Sequence, residues 1–373
     1  MPGTRGVRGA RGVAAATAAV ALVAVSAPGA SASAADCRPS ASYDLTFTSA
    51  GDTLPATFLP AASHDGGRHA GAAALIISGS GPTDRDGDDP QYPHLDTNLN
   101  FAKALASAGV SSLRYDKLGS GTAGLGGPGH HPGGAGIDFN LFTQEALDAY
   151  RTMASQPGVD PHRLVIVGHS EGGLFALLLA NELKGTPLAP RAVVLAAPLS
   201  ERYLDLLATQ LTEAYQKAAA SGAITAAAAA HYIQQMHDAF ASIRAGHGVP
   251  SGLDDPSLKA LLSPINATFL YQADKYDPAR LARSLGDDFP VLVLHGAKDV
   301  QVTGAEVARV AGALRDDEDA WDVDIPNADH LFKIVKGVPD PAVDYPNANR
   351  KFAPEVAAVV RAFVREMVGA TAA

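Results

Sequence analysis

The sequence predicts an α/β protein: a mostly parallel, doubly wound sheet with a helical cap inserted late in the chain. Five short runs carry the sheet, at Ala73–Ile77, Ser111–Tyr115, Leu164–Val167, Ala192–Ala196 and Val291–Leu294. Runs with little polar alternation mark strands covered on both faces, as in a parallel sheet. Helical patterns separate them. Leu141, Phe142, Ala146, Leu147, Tyr150 and Met153 share one face, as do Val356, Val359, Val360, Phe363 and Met367 near the end. The third observation is residues 199–287, an Ala-rich block with no strong strand pattern. At 373 residues and 47% hydrophobic content, the chain is long enough for one large domain carrying such an insertion.

The first 34 residues read as a secretory signal peptide. Arg5, Arg8 and Arg11 precede an apolar run from Val13 to Val25, and Ala32-Ser-Ala34 offers small residues for cleavage. The run is too short for the ~20 residues of a bilayer-spanning helix, so export is expected and a membrane anchor is not. The only cysteine, Cys37, lies just beyond, behind Asp36 rather than the small residue expected of a lipoprotein signal. One cysteine permits no intramolecular disulfide, leaving core packing to hold the exported chain together. Losing three arginines would leave 26 basic against 39 acidic residues, a formal charge of about −13, which argues against nucleic acid or anionic membrane as partner.

The mature chain divides into a first core part, 35–198, the cap, 199–287, and a second core part, 288–373. Tyr43–Thr48 and Leu54–Leu59 flank Ser49-Ala-Gly-Asp52 and read as an antiparallel hairpin at a sheet edge. Gly119 to Gly136 is a Gly-rich loop holding His130-His131, which lack a third ligand at metal-binding spacing and read as solvated. In the cap, Tyr203, Leu204, Leu206, Leu207 and Leu211 form one apolar stripe and Tyr232, Ile233, Met236 and Phe240 another, enough for two helices over a site. The final core strand is the alternation Trp321, Val323, Ile325.

One motif points to chemistry. The run Leu164-Val-Ile-Val167 enters Gly168-His-Ser-Glu-Gly172, and Leu174–Leu183 then reads as a helix. This strand, turn and helix order is that of a nucleophile elbow, so tight that the positions two before and two after the serine must lack side chains. Ser170 is the expected nucleophile. A chance match with Ser170 as a helix N-cap would leave the preceding strand unexplained.

Such a serine needs an acid and then a histidine later in the chain, each at a strand's carboxyl end. Val291–Leu294 leads into His295-Gly-Ala-Lys-Asp299, making Asp299 the acid, and the last strand leads into Pro326-Asn-Ala-Asp-His330, making His330 the general base. His169 is constrained by the elbow and His295 braces a strand end. Asp329 is too close to His330 to face its ring, and Asp316, Asp317 and Asp319 form a solvated charged turn. The oxyanion donors are expected from the backbone N–H groups of Ser80, in the turn Ser78-Gly-Ser-Gly-Pro82, and Glu171. No metal or organic cofactor is needed.

These pieces together resemble the α/β-hydrolase superfamily, and within it bacterial carboxylesterases of the serine-aminopeptidase-like, dienelactone-hydrolase-related branch. The matching segments are Ser78–Gly87, Arg114–Gly119, Gly168–Gly173, His295–Asp299 and Asp329-His330. The resemblance implies a serine esterase acting on small acyl esters, with the triad on Ser170, Asp299 and His330. Within its recurrent segments, Arg85, Asp86, Arg114 and Asp116 read as loop-bracing ion pairs. Leu118 departs from the branch, where a basic residue is expected, as does the Gly and His insertion that follows it.

Two other classes compete with the esterase. An amide hydrolase uses the same triad, and an acidic cluster in the cap facing Ser170 would favour an aminopeptidase; Asp254 and Asp255 are the candidates. An apolar pocket would favour esters. A non-catalytic binding protein on the same fold is opposed by the intact triad. Asn266-Ala-Thr268 also matches a glycosylation acceptor.

Overall fold

The computed structural model describes residues 42–61, 71–124, 138–314 and 319–369. The expected signal peptide, Cys37, His130-His131 and the Asp316-Asp317 pair lie outside them. The described strands are β1 (Tyr43–Ser49), β2 (Asp52–Leu59), β3 (Gly71–Ile77), β4 (Ser111–Tyr115), β5 (Val159–His169), β6 (Ala192–Ala196), β7 (Val291–Gly296) and β8 (Ala320–Ile325). They form one sheet in the order β1-β2-β4-β3-β5-β6-β7-β8. β1 pairs antiparallel with β2, and β2 antiparallel with β4, while every other neighbour is parallel.

Why the central runs lack polar alternation follows from what covers them. Leu75, Ile77, Ile166, Val193, Leu195, Val291 and Val293 face one core, which includes α2 (Phe139–Ala154) and α3 (Glu171–Leu183). The intervening residues Ala74, Ile76, Val165, Val167, Val194, Leu292 and Leu294 face the other, packed on α1 (Thr97–Ala106). Each Leu, Ile or Val so buried contributes about 1.5–3 kcal/mol. At the edge, β8 keeps Asp322 and Asp324 outward, charges that discourage pairing with a further strand.

Five helices fill the chain between β6 and β7: α4 (Tyr203–Ala220), α5 (Ala226–Arg244), α6 (Pro256–Leu261), α7 (Pro264–Ala273) and α8 (Pro278–Ser284). The last three each begin with proline in the first turn, where its missing N–H costs nothing. Asp255 and Asp277 cap α6 and α8 by accepting backbone N–H groups. Buried Asp274 ties the block together, accepting from Arg202 at 2.7 Å, from Arg244 at 2.8 Å and from the Leu204 N–H at 2.8 Å. Phe269 of α7 meets Phe139 and Phe142 of α2 and Tyr203 of α4, seating the block on the core. After β7 come α9 (Gly304–Ala313), α10 (Pro341–Asp344) and α11 (Pro354–Val368). Val356, Val360 and Phe363 of α11 join α1 under the sheet's second face.

From β3 the chain goes first to β4 on one side and then to β5 on the other, so the winding reverses between β3 and β5. In open α/β sheets ligands bind beyond the carboxyl ends of the strands at such a reversal. Ser80 and Ser170 follow the two strands that flank it.

Candidate active site

β5 runs into the turn that carries Ser170, and α3 starts at the next residue. Ser170 has φ 54° and ψ −122°, a conformation L residues rarely adopt and one that persists only when its surroundings enforce it. The enforcement is steric. A Cβ on Gly168 would run into the Gly172 carbonyl, and one on Gly172 into the Ile77 carbonyl, so only glycine lets the three segments close together. The Ser170 N–H donates to the Ala196 carbonyl at 2.8 Å and its own carbonyl accepts from Gly173 at 2.9 Å, pinning the turn between β6 and α3.

His330 sits beyond β8 and donates from Nδ1 to Asp299 Oδ2 at 2.7 Å. The carboxylate is itself fixed, because Oδ1 accepts the N–H groups of Gln301 at 2.7 Å and Val302 at 2.9 Å. With the proton on Nδ1, the lone pair of His330 is left on Nε2. Burial opposes the imidazolium, but the charge and hydrogen bond of Asp299, helped by Asp329 and Glu306, outweigh it and raise the pKa of His330 above the ordinary value.

A second set of buried groups supports these. His169, beside Ser170, donates from Nε2 to the His330 carbonyl at 2.9 Å. Burial, then the neighbouring His330, push its pKa down to about 3, so it stays a neutral donor. Sequence reasoning gave His169 no role; its place holding the loop of His330 follows only from tertiary packing. Glu171, the first residue of α3, accepts from the Tyr203 hydroxyl of the inserted block at 2.7 Å. Lys117 donates to the Gly79 carbonyl in the turn after β3. Glu145, which burial pushes up to about 8, accepts from the Leu118 N–H at 3.2 Å. Leu118 itself packs into the core.

Ser80, Ser170 and His330 line one pocket with Leu199, Tyr203, Leu206, Leu207, Gln210, Gln301 and Val302, enclosing about 340 Å³ of empty space including its open mouth. All five residues expected from the sequence therefore meet: three in the pocket wall, Asp299 behind His330 and Glu171 next to Ser170. The apolar part of the wall comes from the start of α4 and the segment before it, and from Val302.

The rival residues have other places. The His295 ring lies between two acceptors, Asp324 at 2.9 Å from Nδ1 and the Val302 carbonyl at 3.1 Å from Nε2, bracing the end of β7 as expected. Asp329 turns away from the His330 ring, accepts the Leu331 and Lys333 N–H groups and pairs with Arg350. Arg114 grips Asp86 at 2.8 Å and Arg85 lies 3.5 Å from Asp116, the loop-bracing pairs that were expected. The candidate acids of the cap do not reach the pocket: Asp255 binds the Tyr215 hydroxyl at 2.8 Å, and Asp254 pairs with His231 at the surface. Asn266 of the glycosylation match is buried, its amide donating to the Ala260 and Leu261 carbonyls, which closes it to a glycosylating enzyme in the folded chain. Among the described residues no helix is long and apolar enough to cross a membrane.

A profile of the family described as serine aminopeptidase, S33, matches residues 93–321. A 68-residue stretch is 38% identical to ethyl acetate hydrolase of Pseudomonas putida, spanning 17% of this chain and only 21% of that protein. Among solved structures, a hypothetical protein of Pseudomonas aeruginosa aligns with a TM-score of 0.53 at 16% identity, covering 87% of this chain and 93% of its own. An α/β hydrolase of Penicillium sp. sh18 aligns at 0.51 and 16%, covering 88% and 99%. An esterase of Pyrococcus furiosus aligns at 0.51 and 14%, covering 88% and 91%. At such identities the structural likeness speaks for the fold alone.

Proposed function

The chain belongs to the serine aminopeptidase S33 family, as an enzyme of the serine-esterase type on an α/β-hydrolase fold, and we propose that it cleaves carboxylic esters of short to medium acyl chains through Ser170. The observation that carries this reading is the pocket in which Ser170 and His330 meet an apolar wall of Leu199, Leu206, Leu207 and Val302. Ser170 Oγ attacks the ester carbonyl while Nε2 of His330 takes its proton, and the Asp299 carboxylate steadies the imidazolium. The Ser80 and Glu171 N–H groups bind the oxyanion. His330 then protonates the departing alcohol, and water, deprotonated by the same nitrogen, releases the acid.

An aminopeptidase must also hold a free ammonium group, for which a carboxylate is the natural partner. None of the described residues lining the pocket carries one, and the nearby Glu171 side chain is committed to Tyr203. This favours esters over aminoacyl amides despite the family's description, and it agrees with the short match to an ethyl acetate hydrolase.

The test is hydrolysis of a p-nitrophenyl ester series beside an aminoacyl-nitroanilide series by the chain from residue 35. Turnover of the acetate to hexanoate esters, falling for long acyl chains, is the expected result. Cleavage of the anilides alone would replace the reading with a peptidase.

Export through the first 34 residues is part of the proposal and is supported by their sequence: three arginines, an apolar stretch and Ala32-Ser-Ala34. Expressed in full in a secreting bacterial host, the protein is expected in the medium with its N-terminus close to Ala35. An uncleaved chain retained in the cells would remove this part.

A further inference from the structure

Lys117 follows β4, with only 8% of its surface exposed. A buried ammonium costs several kcal/mol unless it is hydrogen-bonded and near opposite charge. Burial pulls its pKa below the ordinary lysine value, and the nearby Glu171 and Glu145 push back. Its Nζ donates to the carbonyl oxygen of Gly79. The lysine therefore ends on a main-chain atom rather than in solvent.

Gly79 lies against the nucleophile. A Cβ there would stand 3.2 Å from the Ser170 Cβ and 3.5 Å from the His169 carbonyl oxygen. The peptide that joins Gly79 to Ser80 is planar, so its C=O and N–H point in opposite directions. Holding the carbonyl on the Lys117 side turns the Ser80 N–H to the other side. Ser80 lines the pocket there with Ser170 and His330. Glycine offers little resistance to rotation of this peptide, since it lacks the Cβ that restricts other residues. The anchor must come from outside the turn.

We propose that Lys117 is a positioning residue that locks the Gly79–Ser80 peptide with its N–H aimed at the oxyanion formed on Ser170. The proposal rests on the acyl-transfer reading above. Lys117 touches no substrate atom. Its effect falls on the transition state, because the Ser80 N–H gains most when negative charge develops on the carbonyl oxygen.

The test is Lys117→Met, which keeps the stem and removes the donor, run beside Lys117→Gln, which keeps a shorter donor. For ester hydrolysis, Lys117→Met is expected to lower kcat by about 10- to 100-fold with KM within about threefold, up to the loss seen when one oxyanion donor is removed. The inhibition constant of a trifluoromethyl ketone, whose adduct with serine bears an oxyanion, is expected to rise by the same factor. That of the matching ether, which fills the pocket without forming an oxyanion, is expected to stay unchanged.

A merely structural lysine would move both inhibitors together and lower the thermal midpoint in proportion. If Lys117→Met does not fold, Lys117→Leu, which also lacks the donor, takes its place and its ratio of the two inhibition constants decides. An unchanged ratio in the folded variant overturns the proposal. Ser170→Ala separates the two levels: ester turnover that survives it sinks the acyl-transfer reading, whereas a dead Ser170→Ala beside a normal Lys117→Met sinks only the role of Lys117.

Discussion

Replacing Ser170 with alanine is expected to lower kcat for p-nitrophenyl ester hydrolysis by about 10⁶-fold, the scale on which a serine triad fails when its nucleophile is removed. The prediction is sharp because the fold should survive. Alanine keeps the Cβ, and the turn's backbone bonds to Ala196 and Gly173 do not involve the hydroxyl. The conformation at φ 54° is as strained for alanine as for serine, so the substitution neither relieves nor adds strain. Unfolding free energy is expected to change by no more than about 0.5 kcal/mol, the range of substitutions that disturb no packing or buried polar group. Kinetics and a denaturant melt on the same preparation check both halves. Turnover within tenfold of the parent would mean that another group, with Ser80 in the same pocket the first suspect, does the chemistry.

The site was readable in the sequence wherever sterics or strand ends dictate it. Gly168 and Gly172 are demanded by backbone contacts that no side chain survives, so the elbow announces itself in five letters. Asp299 and His330 lie just beyond β7 and β8, and apolar runs that mark buried strands also mark where such loops begin. The central strands were equally plain, because burial on both faces leaves uninterrupted Val, Ile and Leu. The inserted block was only half readable. Two apolar stripes located α4 and α5, whereas α6, α7 and α8 are short and lack a long periodic face. Their signals were the pairs Asp255-Pro256, Ser263-Pro264 and Asp277-Pro278, each a cap residue followed by a first-turn proline.

What no local pattern could disclose is the layer of buried polar contacts behind Ser170, Asp299 and His330. Lys117 on Gly79, His169 on the His330 carbonyl and Tyr203 on Glu171 join residues 38, 161 and 32 positions apart. Each contact exists only because the parallel sheet brings the ends of different strands to one edge. They also link the parts of the site. Tyr203 belongs to the pocket wall and to the helical insertion, so the insertion is tied directly to Glu171, the residue after Ser170.

Asp299→Asn is expected to cost about 10⁴-fold in kcat through a proton placed on the wrong nitrogen. Oδ1 of Asp299 accepts two backbone N–H groups, from Gln301 and Val302, so asparagine will keep its carbonyl oxygen there and turn its NH₂ toward His330. That NH₂ is a donor facing Nδ1, which must then accept. The imidazole proton moves to Nε2, and the nitrogen facing Ser170 can no longer take its proton. The pH profile should move in a defined direction. In the parent, Asp299 helps hold the His330 pKa above the ordinary value, and catalysis needs the neutral base, so kcat/KM should rise through a pKa above about 6.5. Without the carboxylate, burial is left with less opposition, the imidazolium loses stability and the acid limb should shift to lower pH. Profiles of kcat/KM from pH 4 to 9 for both proteins check this. An acid limb that stays in place, or activity within tenfold of the parent, would show that Asp299 does not orient and charge-stabilise the base.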